Sequence, residues 1–153
     1  MANYIQWIRE QVGHKPIILN FAAAFILNEQ GEILLQNRGD ASGWGLPGGA
    51  IELGESAEDA MRREVFEETG LHVQVEAFLG VYTHSFHEYP NGDQAQSIAI
   101  FFVCSIVSGT LHIDHDETLD LQYFPPESAP CLFNQQSQEA LNDFIQGKRG
   151  ICR

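Results

Sequence analysis

Basic residues are scarce in this chain. Eight lysines and arginines stand against 21 aspartates and glutamates, a formal net charge of -13 over 153 residues. No broad positive surface can be built from that balance, so long-range attraction to nucleic acid or to an anionic membrane is not expected. Cysteine is also sparse. Cys104, Cys131 and Cys152 are odd in number, widely spaced and match neither a disulfide framework nor a metal pattern. Cys104 lies in an apolar run and reads as a small buried hydrophobe, and the set points to a reducing, cytoplasmic setting. The first dozen residues lack the basic-then-apolar layout of a secretion signal. The longest apolar stretch, residues 16–27, is interrupted by Asn20 and is too short to cross a bilayer. Internal repeats, linkers and low-complexity tracts are missing. What remains is a chain that is 44% apolar, long enough for one sizeable core, and read as a single domain over residues 1–153.

Periodicity fills most of that length. Residues 2–12 set Ile5, Trp7 and Ile8 at helical spacing and stop at Gly13. Residues 17–27 read as a buried strand, 28–31 as a turn and 32–38 as its return strand, a hairpin. A glycine-rich loop spans 39–49. Ser56 is a good N-cap, with Asp59 in the capping-box position, for a helix over 56–69 that Gly70 ends. Strands are expected at 72–83 and 96–107, around a polar, aromatic loop at 84–94. Short strands at 110–113 and 121–124 and an amphipathic helix over 135–146 complete the order. Strands paired by hairpins, with helices laid outside, predict an α+β protein, a mixed sheet sandwiched between helices, rather than a doubly wound parallel sheet.

The chemistry concentrates in the helix over 56–69. Glu64, Glu67 and Glu68 fall within an arc of roughly 100°. Like charges four residues apart repel. Arg63 can pair with Glu67, which leaves Glu64 and Glu68 uncompensated. One reading is a solvated acidic face. Against it stand the preceding Gly43-Trp44-Gly45-Leu46-Pro47-Gly48-Gly49, whose glycines admit close backbone approach, and the Met61, Val65 and Thr69 stripe that anchors the helix. A hard divalent cation with oxygen ligands, Mg²⁺ foremost and Mn²⁺ as an alternative, resolves the repulsion and would also screen the charge of a free nucleotide.

Gly49, Glu55, Arg63, Glu64, Val65, Glu67, Glu68, Gly70 and Leu71 occupy every fixed position of the pattern G-x5-E-x7-R-E-U-x-E-E-x-G-U, where U is a bulky aliphatic residue. On those residues the chain resembles the Nudix hydrolase family, and within it the small bacterial MutT-like and ADP-ribose pyrophosphatase-like members. The likeness extends from about Phe21 to Phe124 and includes Leu34-Leu35-Gln36-Asn37-Arg38 on the approach to the box, which spans residues 49–71. It implies a loop–helix–loop box on an α/β/α sandwich, and cleavage of the pyrophosphate linkage of a nucleoside diphosphate joined to another group. It implies Mg²⁺ held by Glu64, Glu67 and Glu68, with a backbone carbonyl at Gly48 or Gly49. Arg63 would orient the carboxylates, Glu55 would brace the box through Arg63, and Glu64 is the candidate general base by analogy with MutT-type members. Bound metal would neutralise the phosphates and lower the pKa of a water, whose proton a carboxylate takes.

Outside the box, Glu117 within Asp114-His115-Asp116-Glu117 is a candidate further ligand or base, against the reading of a polar turn. Arg38, Phe86 and Tyr89 are candidate substrate contacts. An aromatic in the loop after the box could stack on a base, or Phe86 and Tyr89 could simply anchor that loop. His84 and His87 read as hydrogen-bonding loop residues. The position where ADP-ribose pyrophosphatases often carry proline holds His87. Tyr89 falls where diadenosine polyphosphate hydrolases often carry tyrosine, and the extra motif of coenzyme A diphosphatases is absent. ADP-ribose-like compounds, dinucleoside polyphosphates and nucleoside triphosphates all stay open. The rival class is a Nudix-fold nucleotide-binding or regulatory module without catalysis, but such modules usually lose box carboxylates and this box is intact. RNA decapping sits poorly with the charge. The expected partner is a small nucleotide, with a homodimer left open.

Overall fold

The structure, a computed structural model, describes residues 3–38, 43–113 and 118–153. Glu117 and its three predecessors, and residues 39–42 of the glycine-rich loop, lie outside the described residues.

The chain opens with α1 (Tyr4–Val12), capped by the Asn3 side chain accepting from the Gln6 N–H and ended at Gly13. β1 (Ile17–Leu27) follows, then an Asx turn in which Asn28 Oδ1 accepts from Gln30 N and Glu32 N, and β2 (Ile33–Arg38). The expected hairpin forms, yet β1 and β2 register only at Leu27↔Ile33 before they diverge. Two short strands, β3 (Gly43–Gly45) and β4 (Gly48–Ala50), stand where a plain loop was expected. β4 takes the edge of β1 that β2 leaves, pairing Phe21 with Ala50, Ala22 with Gly49 and Ala23 with Gly48. The box thus enters the sheet through a split between neighbouring strands.

α2 (Ala57–Thr69) starts at Ser56, whose hydroxyl accepts from Asp59 N, and stops at Gly70 in the left-handed conformation. β5 (Leu71–Tyr82), β6 (Phe86–Glu88), β7 (Gln94–Gly109) and β8 (Thr118–Phe124) come next, then a 3-10 turn at Pro126–Ser128, α3 (Gln135–Ile145) and β9 (Ile151–Cys152). Residues 110–113, expected as a strand, carry no regular structure, and the pairing passes instead to the longer β8, which lies against β2. β9 was not foreseen. It is a two-residue pairing beside Gly80 that no periodicity could reveal.

Among the described residues one mixed sheet runs β3-β2-β1-β7-β5-β9, with β1 parallel to β7 and β5 antiparallel to β7. Both faces are covered, as the continuous apolar run of β1 requires. Ala22, Ala24 and Ile26 pack with Met61 and Val65 of α2, while Phe25 packs with Phe101, Ala140 and Leu141 on the α3 side. The α+β sandwich is therefore present. Cys104 is buried against Met61, and burial pushes its thiol up to about 12, so it behaves as a core hydrophobe.

The C-terminal tail is latched by one buried carboxylate. Asp143 accepts from Tyr82 Oη at 2.7 Å and from the Arg153 fork at 2.8 and 2.9 Å. Arg153 first, then Tyr82, hold the Asp143 carboxyl down at about 2, below its ordinary 3.8. A depressed carboxyl contributes stability above its unfolded pKa and loses it as pH falls through the folded one. Urea-unfolding midpoints should therefore fall more steeply between about pH 4 and 2 in the wild type than in Asp143→Asn, which should start less stable at neutral pH. Equal acid slopes in the two proteins would refute the latch.

Candidate active site

α2 lies with one stripe on the sheet, and the spacing of its carboxylates about that stripe grades their burial. Met61, Val65 and Glu68 share the inward side at helical spacing, so Glu68 is only 4% exposed. The Glu67 side chain is 56% exposed, and that of Glu64 lies between them at 19%. The single acidic face expected from spacing is thus three different environments.

Arg63 ties this face to the loop before it. Its Nε and Nη2 grip the two Glu55 oxygens at 2.7 and 2.9 Å. Nη1 donates to Glu64 Oε1 at 2.9 Å and, more distantly, to Glu67 Oε2 at 3.4 Å, and Nη2 also donates to the Ala50 carbonyl. The expected Arg63–Glu67 pairing is secondary, because the bidentate grip on Glu55 turns the guanidinium toward Glu64. Glu55 above all, then Glu64, raise Arg63 above its ordinary pKa, and Arg63 in turn holds Glu55 below the usual carboxylate range.

Glu64 and Glu68 stand one helical turn apart and close enough to act on each other, and the Gly48 N–H lies near Glu68. Burial, then the Glu64 carboxylate, pushes Glu68 well above the usual range, and burial raises Glu64 against the pull of Arg63. Two touching carboxylates cannot both be ionised unless a proton or a cation lies between them. Glu68 Oε2 is buried without a hydrogen-bond partner. The glycines make the approach possible. A Cβ on Gly48 would lie 2.6 Å from Ala23 Cα, and one on Gly49 2.5 Å from Glu64 Cδ. Arg38 adds positive charge that pulls Glu68 back down, while its guanidinium lies 5.3 Å over the Phe133 ring.

Among the described residues no three of His, Cys, Asp and Glu converge into a ready-made cage. The donor set fits Mg²⁺ all the same, since that ion is commonly held by one or two carboxylates and completed by water and substrate phosphates. The orphaned Glu68 oxygen and the Glu64–Glu68 contact are what such an ion would satisfy. Glu67 points away toward Arg63, and the group seen at Gly48 is its N–H rather than a carbonyl turned to the carboxylates.

On the far side of β4 a cleft of about 480 Å³ is lined by Ile5, Arg9, Leu19, Phe21, Tyr89, Pro90, Asn91 and Asp93. Phe21 pairs with Ala50, so the floor of the cleft adjoins the box strand. Of the candidate substrate contacts, Tyr89 reaches this cleft and Arg38 the carboxylates. Phe86 is 60% exposed on β6 and lines neither. His87 bonds Ser85 Oγ through Nε2 at 3.1 Å, and the exposed His84 stays outside the cleft. Ile5, Arg9, Leu19, Phe21, Asn91 and Asp93 escaped the sequence reading. Asn91 and Asp93 fall within the polar, aromatic loop expected at residues 84–94.

The NUDIX domain model matches residues 19–144. A Bacillus subtilis (strain 168) protein, provisionally named an 8-oxo-dGTP diphosphatase, is 35% identical over 130 residues, 85% of this chain and 82% of the relative. An ADP-ribose pyrophosphatase of Methanocaldococcus jannaschii is 31% identical over 129 residues, 82% of this chain and 72% of its own. The crystal structure of a MutT NUDIX hydrolase from Burkholderia pseudomallei superposes with a TM-score of 0.69 at 28% identity, covering 84% of this chain and 98% of that one.

A buried, charge-frustrated carboxylate costs stability when no cation is bound. Without metal, Glu68→Gln should be more stable than the wild type by about 1–2 kcal/mol, a melting point higher by roughly 2–8 °C. The variant should also lose the thermal shift that millimolar Mg²⁺ or Mn²⁺ gives the wild type. A destabilised variant, or one with an undiminished metal shift, would overturn this account of the pair.

Proposed function

The chain belongs to the Nudix family of phosphoanhydride hydrolases, and from that premise we propose that it is a divalent-metal-dependent pyrophosphohydrolase of small nucleotides, with Glu64 as general base. The Glu64–Glu68 contact carries this reading, because a buried carboxylate pair with an unpartnered oxygen is a poor structural element and a good half-site for a hard cation. Glu64, Glu68 and, by rotation of its exposed side chain, Glu67 hold the ion. Glu117 and a backbone carbonyl at Gly48 are proposed as further ligands. Bound there, Mg²⁺ or Mn²⁺ supplies charge neutralisation on the diphosphate and acidifies the attacking water.

The remaining steps belong to the protein. Arg63 keeps Glu64 turned to the reacting centre and is itself fixed by Glu55. Arg38 stands near Glu68, where it can take phosphate charge. Glu64 accepts the proton as the water oxygen bonds to phosphorus. The phosphoanhydride P–O bond breaks and the leaving phosphate takes up the electron pair. The cleft beside β4 seats the nucleoside, with Tyr89 offering a ring to a base. The cleft is of ordinary ligand size. Arg38 and Tyr89 thus remain substrate contacts in this proposal, while the exposed Phe86 is left without one. Three free thiols, two of them exposed, support a cytoplasmic setting, and no helix among the described residues is long and apolar enough to cross a membrane.

A phosphate-release screen tests the proposal, with ADP-ribose, diadenosine polyphosphates, NADH, sugar nucleotides and ordinary and oxidised nucleoside triphosphates under Mg²⁺ and Mn²⁺. Turnover of one class, abolished by EDTA, is expected. Glu64→Gln should lower kcat by at least about 10²-fold, the range for loss of a general base; near-normal turnover removes Glu64 from that role. Glu117→Gln should be less damaging than Glu68→Gln, and equal damage would put Glu117 among the principal ligands.

A further inference from the structure

α1 precedes the stretch that the family model matches, residues 19–144, yet it supplies Ile5 and Arg9 to the cleft. No α1 residue is fully buried, so apolar packing alone holds the helix weakly. Polar tethers do the rest. The Tyr4 N–H, one of the unsatisfied donors at the start of the helix, bonds Glu52 Oε2 at 2.8 Å. Arg9, its side chain 12% exposed, donates through Nη1 to the Gly13 and Lys15 carbonyls and through Nη2 to the Gln94 carbonyl at 2.7 Å. Its Nε stands 3.6 Å from Asp93 Oδ2. Asp93 also meets His14 Nδ1 at 2.6 Å and accepts from Asn91 Nδ2 at 3.2 Å. The turn carrying it is itself fixed, by Gly92 at positive φ and by Tyr89 N donating to the Asp93 carbonyl.

We infer that Arg9 is a positioning residue that clamps α1 to the Tyr89–Asp93 turn, and that this clamped pair sets the enzyme's selectivity for the base of its nucleotide. The inference rests on the proposal that the cleft seats the nucleoside. Ile5, Leu19 and Phe21 give the cleft an apolar floor and wall, and Tyr89 adds an aromatic ring. Asn91 and Asp93 stand at the rim. A carboxylate offers about four lone-pair positions, and its present partners leave acceptor capacity for the N–H groups on the edge of a flat heterocycle. That chemistry suits a purine with amino or imino hydrogens better than a sugar, whose many hydroxyls would meet apolar walls. With Arg9 removed, the helix and turn separate for part of the time, and apparent affinity falls with the population of the assembled cleft. Chemistry at Glu64 and Arg63, which Arg9 does not touch, continues.

The test uses the full chain and two readouts. Steady-state kinetics with dGTP and dCTP should show KM for dGTP rising at least about tenfold in Arg9→Ala, with kcat within about twofold and the dGTP to dCTP preference collapsing. Arg9→Lys should recover part of both, and Asp93→Asn, which keeps the shape of the turn but removes the charge facing Arg9, should erode the preference with a smaller rise in KM than Arg9→Ala. Calorimetric titration with GMP should show binding to the wild type that is lost in Arg9→Ala. A lower melting point with KM, preference and GMP binding unchanged would make Arg9 merely structural and overturn the inference. A wild type that binds GMP through Arg9 but turns nothing over would sink the hydrolysis proposal and leave this one standing. A wild type that hydrolyses another member of the screening panel but neither binds GMP nor turns over dGTP sinks this inference alone.

Discussion

The site depends on one guanidinium. Arg63 makes hydrogen bonds to Glu55, Glu64, Glu67 and the Ala50 carbonyl, and so joins the loop before α2, the helix itself and strand β4. Arginine suits this place because its planar fork grips a carboxylate through two parallel bonds and stays charged under all ordinary conditions. A lysine could neutralise the same acids but could not fix their directions. The direction of Glu64, which the proposed reaction needs, is set from Glu55 through Arg63.

Against that well-satisfied knot stands the frustrated pair beside it. Glu64 and Glu68 are brought together by the packing of α2 and by the close approach of β4, where a Cβ on Gly48 would collide with β1 and one on Gly49 with Glu64 itself. The alanines of β1 make the same approach possible from the other side. Stability is given up at this pair, the usual pattern when a site breaks the rules that the rest of the fold obeys, and the cation proposed to bind there would recover it. The split between β1 and β2 serves the same end, because it opens an edge of β1 for the strand that brings those glycines in.

The cleft joins a helix outside the stretch matched by the family model to strands within it. α1 has little core of its own and is held by Glu52 at its first turn and by Arg9 at its last. One anchor ends on the box loop and the other beside the turn that lines the cleft at the start of β7. The helix therefore completes a wall rather than standing apart as an appendage.

Local patterning by itself determined much of this protein. The N-cap at Ser56 and stop at Gly70, the buried run of β1, the α+β order and the spacing of the box acids are short-range properties of the chain, and each appears where the residues put it. Three things were out of its reach. Spacing placed Glu64, Glu67 and Glu68 on one face but could not grade their burial, which depends on the sheet below the helix. Composition could not show that Arg63 prefers Glu64 to Glu67, since that preference comes from Glu55 eight residues away. The cleft, β9 and the clamp of Arg9 on a turn more than eighty residues distant have no periodic signature, because they are made by tertiary contacts between segments whose own sequences are unremarkable.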